Sequence, residues 1–142
     1  MRVDYENLRL PVSEAAQLAA DVFGVAGAAS PLPGEIDINY KITVSENEAY
    51  ILKISRPGAD VDYLEFQQKI IAYAGRHGKD LNIPRNIPSL KGPELLPHTD
   101  AHGRLRYLRL VSWIPGRPWH RVNPQLDALR HDLGVQCGKL TK

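Results

Sequence analysis

The passage that decides the fold runs Ile36-Asp37-Ile38-Asn39-Tyr40-Lys41-Ile42-Thr43-Val44, then Ser45-Glu46-Asn47-Glu48, then Ala49-Tyr50-Ile51-Leu52-Lys53-Ile54. In its first part the apolar residues 36, 38, 40, 42 and 44 alternate with Asp37, Asn39, Lys41 and Thr43. That period of two belongs to a strand with one buried face. Ser45–Glu48 reads as a hairpin connection, and residues 49–54 as the returning strand. Arg56-Pro57-Gly58 ends it. Two strands joined by so short a turn are antiparallel.

On the N-terminal side, Ala15, Leu18, Ala19, Val22 and Phe23 form one stripe of a helix over residues 13–23. Ser13 is the expected N-cap and Gly24 the left-handed C-cap. Ser30-Pro31-Leu32-Pro33-Gly34-Glu35 reads as turn. On the C-terminal side the spacing is helical from Val61 to about Arg76, with Tyr63, Phe66 or Gln67, Ile70, Ile71 and Ala74 on one side. Pro84, Pro88, Pro93 and Pro97 exclude a helix from the next stretch. Two further strands are expected, near 88–96 and over 105–113, with His98-Thr99-Asp100-Ala101-His102-Gly103 as the turn between them. Ile114-Pro115-Gly116-Arg117-Pro118 breaks the chain. Residues 124–142 read as an amphipathic helix striped by Leu126, Leu129, Leu133 and Leu140. The fold class is α+β: an antiparallel sheet of about five strands with a helix packed on it.

A chain of 142 residues, 43% hydrophobic and 24% charged, suits an ordinary globular domain. No apolar run approaches the length of a membrane span, and the acidic opening residues do not read as a secretory signal. A cytoplasmic location is the expectation. The single cysteine, Cys137, excludes an intramolecular disulfide and reads as a small buried residue. His102, His120 and His131 are read as lacking a second donor at metal-ligand spacing, so no metal site is assigned. Charge is uneven: residues 1–102 hold 10 Lys/Arg against 14 Asp/Glu, and residues 103–142 hold 8 against 2. A basic C-terminal quarter could face phosphates or an acidic partner, or be a face that the rest of a larger protein covers. Aromatics do not interleave with these arginines as base stacking would require, so nucleic acid is not an expected partner.

Three features in order resemble the N-terminal lobe of the aminoglycoside phosphotransferase and choline kinase superfamily. They are residues 32–40 (Leu32-Pro33-Gly34-Glu35-Ile36-Asp37-Ile38-Asn39-Tyr40), residues 50–55 with Leu64-Glu65-Phe66-Gln67 behind them, and residues 109–118 (Arg109-Leu110-Val111-Ser112-Trp113-Ile114-Pro115-Gly116-Arg117-Pro118). The hydroxylysine-kinase-like branch, also found fused to class III aminotransferases, is the most similar. The resemblance covers nearly the whole chain and implies a kinase-like nucleotide-binding lobe over residues 1–111, a hinge over 112–118, and the start of a C-lobe over 119–142.

By that resemblance Lys53 contacts the α/β-phosphates of ATP, as the strand lysine of protein kinases does. From spacing alone it could equally be a solvated strand-end lysine. The family's lysine is held by a carboxylate on the following helix. Glu65 has the right chemistry, whereas Gln67 sits where that carboxylate usually lies. The two are about 200° apart on a helix, so both cannot face Lys53. Asp37 and Asn39 would pin the turn that covers the phosphates, or serve as ordinary turn residues. Ser112, Trp113 and Ile114 would be the hinge reading the adenine through main-chain groups, with Ile51 and Val111 as apolar walls.

His98-x-Asp100 begins like the family's catalytic loop, but Leu105 stands where asparagine is needed and the site precedes the hinge. Residues 134–141 echo a Walker A loop but are one residue short. No catalytic-loop counterpart follows Gly116, so the expectation is a lobe that is not catalytic alone, with magnesium held through the absent C-lobe. The expected partners are nucleotide, that lobe or a fused downstream domain, and a second copy through bare apolar surface. The alternative is a non-catalytic interaction module with the same fold.

Overall fold

The computed structural model describes residues 6–141. Its elements are α1 (Val12–Phe23), β1 (Ala28–Leu32), β2 (Ile38–Thr43), β3 (Ala49–Ile54), α2 (Val61–His77), β4 (Asn86–Ile87), β5 (Leu96–Thr99), β6 (Leu105–Ser112) and α3 (Asp127–Leu140). The strands form one antiparallel sheet in the order β1-β2-β3-β6-β4, and β5 pairs with the first half of β6. The fold is the expected α+β arrangement, with six strands.

Register explains the two faces. Ile38 pairs with Ile54, and Ile54 with Leu108; Tyr40 pairs with Leu52, and Leu52 with Leu110. These rows are buried against Ala15, Ala19 and Phe23 of α1. Asn39, Lys53 and Arg109 make the next row, on the opposite face. Alternation thus sends aliphatic carbon to α1 and polar groups to the far side.

Several boundaries differ from the sequence reading. Residues 28–32 form β1, where Ser30-Pro31 had suggested only a turn. Pro31 is tolerated because β1 is an edge strand, where a missing N–H breaks no ladder. α1 begins one residue earlier than expected, so its N-cap is Pro11, without a side-chain cap, and not Ser13. Gly24 does cap its end, at φ 72°. The expected strand at 88–96 is a short β4 before it and β5 at its end. α2 buries Leu64 and Gln68, while Tyr63, Phe66 and Ile70 are 54%, 56% and 50% exposed. The inward stripe is 64, 67, 68 and 71; apolar content alone pointed one position away. No residue of α3 is buried, and Cys137 is exposed, not the buried residue expected. No helix among the described residues is long and apolar enough to cross a membrane.

Of the turn expected over His98–Gly103, His98 and Thr99 are strand residues of β5, and the turn into β6 starts at Asp100, around which it is built. The Asp100 carboxylate accepts from the His102 and Arg104 N–H groups at 3.0 Å each and from the Arg104 guanidinium at 2.8 Å. It also accepts from Arg106, whose side chain is fully buried, at 3.3 Å. Arg106 in turn donates to the carbonyls of Leu8 and Ser55, tying the segment before α1 to the sheet. Burial alone would push the Asp100 carboxyl up, but these hydrogen bonds outweigh it and hold the group well below the usual carboxylate range.

A lowered carboxyl pKa gives stability that is full above the unfolded value, about 3.9, and is lost as pH falls toward the folded one. Asp100→Asn keeps the shape but strands the buried Arg106 charge, a change of about 3 kcal/mol. Urea unfolding should show that loss at pH 7, and a shallower acid limb than wild type below pH 4.

Candidate functional site

On the face opposite α1, Lys53, Arg109, Asp37, Asn39 and Gln67 converge on a concavity of about 330 Å³. β3 supplies Lys53 and β6 supplies Arg109, opposite each other in register. Two like charges so placed repel, and Asp37 at the entry to β2 lies between them. Its Oδ2 is 2.5 Å from Arg109 and 3.5 Å from Lys53. Asn39 accepts from the Lys53 ammonium at 3.3 Å. Gln67 accepts from the other arm of Arg109 at 2.6 Å.

The turn before β2 is held close to the cluster. The Asn39 amide donates to the Pro33 carbonyl at 3.4 Å. A Cβ on Gly34 would stand 2.3 Å from the Asp37 carbonyl oxygen and 2.6 Å from the Asn39 amide nitrogen, so only glycine fits. Residues 34–39 are therefore folded onto themselves, with the Asp37 carboxylate turned to the sheet.

Burial lowers the Lys53 pKa first, and the nearby Arg109 charge lowers it further; Asp37 opposes both without cancelling them. The ammonium has only long contacts, 3.5 Å to Asp37 and 3.3 Å to Asn39, and so is incompletely compensated. Of the sequence-expected residues, the structure brings together Lys53, Asp37, Asn39 and Gln67. Glu65 is exposed on the far side of α2 and takes no part. Neither helix residue partners Lys53: Gln67 turns inward but binds Arg109, and the lysine's carboxylate comes from the turn before β2. Arg109 was missed as a site residue. The signal was its odd-numbered position in β6, which register places beside Lys53.

Trp113 lies toward the other end of the same face, and Ser112 and Ile114 flank it with the opposite side-chain parity. Arg109, Val111 and Trp113 share the side-chain parity of a strand, and four residues of strand span about 13 Å. Ser112 exchanges main-chain and hydroxyl hydrogen bonds with Arg85 at 2.9 Å, and the Trp113 N–H donates to the Ala49 carbonyl at 3.0 Å. The Lys41 ammonium sits 4.3 Å over the Trp113 ring. These ties fix the main chain as it leaves the sheet. A second concavity, of about 540 Å³, borders Lys41, Ser112, Trp113 and the β2–β3 turn. Among the described residues no three His, Cys, Asp or Glu side chains converge as a metal set.

The profile of the phosphotransferase enzyme family (APH) matches residues 28–142. The chain belongs to this family. The match begins at β1 and takes in the lysine strand, α2 and the segment leaving β6. No curated protein matches it. Two solved structures share the fold. An amicoumacin kinase, hAmiN, in complex with AMP-PNP, Ca2+ and Ami superposes with a TM-score of 0.60 at 22% identity, covering 81% of this chain. A microcompartment-associated aminopropanol kinase gives a TM-score of 0.67 at 19% identity, covering 92% of this chain. The chain spans 35% of the first and 40% of the second.

Lys53 should titrate below the ordinary lysine range, and lower still in Asp37→Asn, which removes the one charge that opposes the shift. Carbon-13 NMR of the lysine ε-carbons reads this directly. The folded state then gives up this proton before the unfolded chain does. Stability should therefore rise with pH from the folded pKa toward the ordinary lysine value, and Lys53→Met should abolish that rise.

Proposed function

We propose that this family member is the nucleotide-holding lobe of a small-molecule phosphotransferase. The observation that carries the reading is the incompletely compensated Lys53 ammonium, on the sheet face that also carries Trp113 and the fixed main chain at 112–114. The residues fit an extended nucleotide. Lys53 offers a cation to phosphate oxygens, and the turn at 34–39 offers backbone close by. The apolar row of Ile51 and Val111 lies between them and the 112–114 segment. When bound, ATP would supply the γ-phosphoryl group, and the chain's own part is to bind and orient it.

In this reading residues 1–111 form the lobe, 112–118 the hinge, and 119–142 the start of a C-terminal lobe. That lobe would bring the group that orients the acceptor and the ligands for magnesium. The acceptor class would be the hydroxyl of an amino alcohol or amino acid. The aminopropanol kinase likeness and the resemblance to the hydroxylysine-kinase-like branch both support this class. Fusion to an aminotransferase fits the same substrate chemistry, and a cytoplasmic location fits the need for ATP. The uncovered leucines of α3, with Leu126, Leu133 and Leu140 46–59% exposed, suit a helix that packs against such a lobe. The same surface supports the second reading, an interaction module that binds no nucleotide.

A titration of the full chain separates the two. ATP should shift the Lys53 resonances and the amides of 112–114, while adenosine should shift only the latter. Lys53→Ala should weaken ATP by about tenfold or more, the effect of losing a charge-assisted contact, and leave adenosine unchanged. Flat spectra at millimolar ATP would instead favour the interaction module.

A further inference from the structure

Kinase-like lobes are expected to anchor their strand lysine with a carboxylate from the neighbouring helix, and this chain does not do so. Among the described residues the only carboxylate in contact with Lys53 is Asp37, and Arg109 competes for it. The geometry shows which cation holds it. Arg109 is 1.0 Å closer, at 2.5 against 3.5 Å, and its side chain is 5% exposed against 28% for Lys53. Its second arm is fixed to Gln67 at 2.6 Å, so the guanidinium is clamped from both sides. Lys53 has a long contact to the carboxylate, a long one to Asn39, and an open side. Of the two cations, only the lysine can change partners without breaking a tight bond.

We propose that Arg109 is a positioning residue for an anion: it carries the charge of Asp37, so that Lys53 can take up phosphate oxygens instead. This rests on the nucleotide reading above and goes beyond it. Lys53, Arg109 and Asp37 together carry one net positive charge. An arriving phosphate replaces Asp37 as the partner of Lys53, and Asp37 then belongs wholly to Arg109. Without Arg109 the carboxylate would fall back on Lys53 and stand uncompensated against the phosphate. Glu35, Arg56 and Asp60 also border the concavity, but from exposed positions where solvent and salt screen them. The Asp60 carboxylate is moreover engaged in capping α2. Gln67 extends the role to α2, because the amide that locks Arg109 belongs to that helix. An amide is the fitting partner there. It accepts from the guanidinium without adding a second negative charge to the site.

The test is calorimetric titration of the full chain with ATP in chelator, beside adenosine, which has no phosphate. Arg109→Gln should weaken ATP by about tenfold, as expected when a buried charge loses its partner, and leave adenosine unchanged. Adding Asp37→Asn to that variant should return ATP most of the way to the wild-type affinity. A merely structural arginine would weaken both ligands alike with no rescue, and that result overturns the proposal. Should Arg109→Gln lose its circular dichroism signal, Asp37→Asn alone decides. It keeps the bond between Arg109 and Gln67 and should tighten ATP; an unchanged or weaker affinity counts against the idea. Wild-type protein that binds neither ligand removes the nucleotide reading and this inference together. ATP binding that is indifferent to Arg109→Gln removes the inference alone.

Discussion

Two cations placed directly opposite each other on neighbouring strands repel, and a sheet tolerates them only with an anion between. Lys53 and Arg109 are such a pair, fixed by the β3–β6 register. The anion is Asp37, and its position constrains the surroundings. The chain must turn back sharply before β2 to bring the carboxylate over the sheet, which needs a glycine at 34 and the Asn39 amide on the Pro33 carbonyl. The spare arm of Arg109 must find an acceptor, and Gln67 supplies it, fixing the rotation of α2 about its axis.

The opposite face solves a similar problem differently. Arg106 is buried among aliphatic side chains, and its compensation comes from Asp100 in the adjoining turn and from two carbonyls. There the carboxylate accepts from two main-chain N–H groups and two guanidiniums, Arg106 fully buried and Arg104 one-third exposed. On the Lys53 face the compensation is left incomplete. Both faces hold arginine and aspartate, and only one of them has an accessible ammonium to spare.

Much of this was legible in the sequence where one physical rule acted alone. The alternation over 38–43 and the run 49–54 dictated the hairpin and its buried face, and Gly24 marked a helix end correctly, whereas Ile36 and Val44, expected in the same stripe, lie outside β2 and are exposed. The reading went astray where tertiary context outweighed local signal. Ser30-Pro31 looks like a turn until one knows that its strand lies at an edge. The apolar carbon of α2 points to Tyr63, Phe66 and Ile70 as the inward side, yet these are exposed and Leu64 and Gln68 are buried in their place. Cys137 was assigned to a core that α3 does not have among the described residues. Lys53, Asp37, Asn39 and Gln67 could each be named from the chain, but their pairing could not. Arg109 has no local signal at all. Its importance lies in which residue stands across the strand from it.

The departure at α2 bears on how such a lobe holds its helix. A glutamate reaching from helix to strand lysine makes one bond serve two ends, so that helix position and lysine position rise and fall together. Here the two are separated: α2 is tied through Gln67 to Arg109, and Lys53 is tied through Asp37 and Asn39 to β2 and the turn before it. A helix anchored to a buried arginine keeps its place whether or not the lysine is engaged elsewhere. The lysine, freed from holding a helix, is kept by two long contacts alone, to Asp37 at 3.5 Å and to Asn39 at 3.3 Å. That asymmetry follows from a single amide at position 67, where a carboxylate would have drawn both cations to itself and closed the site.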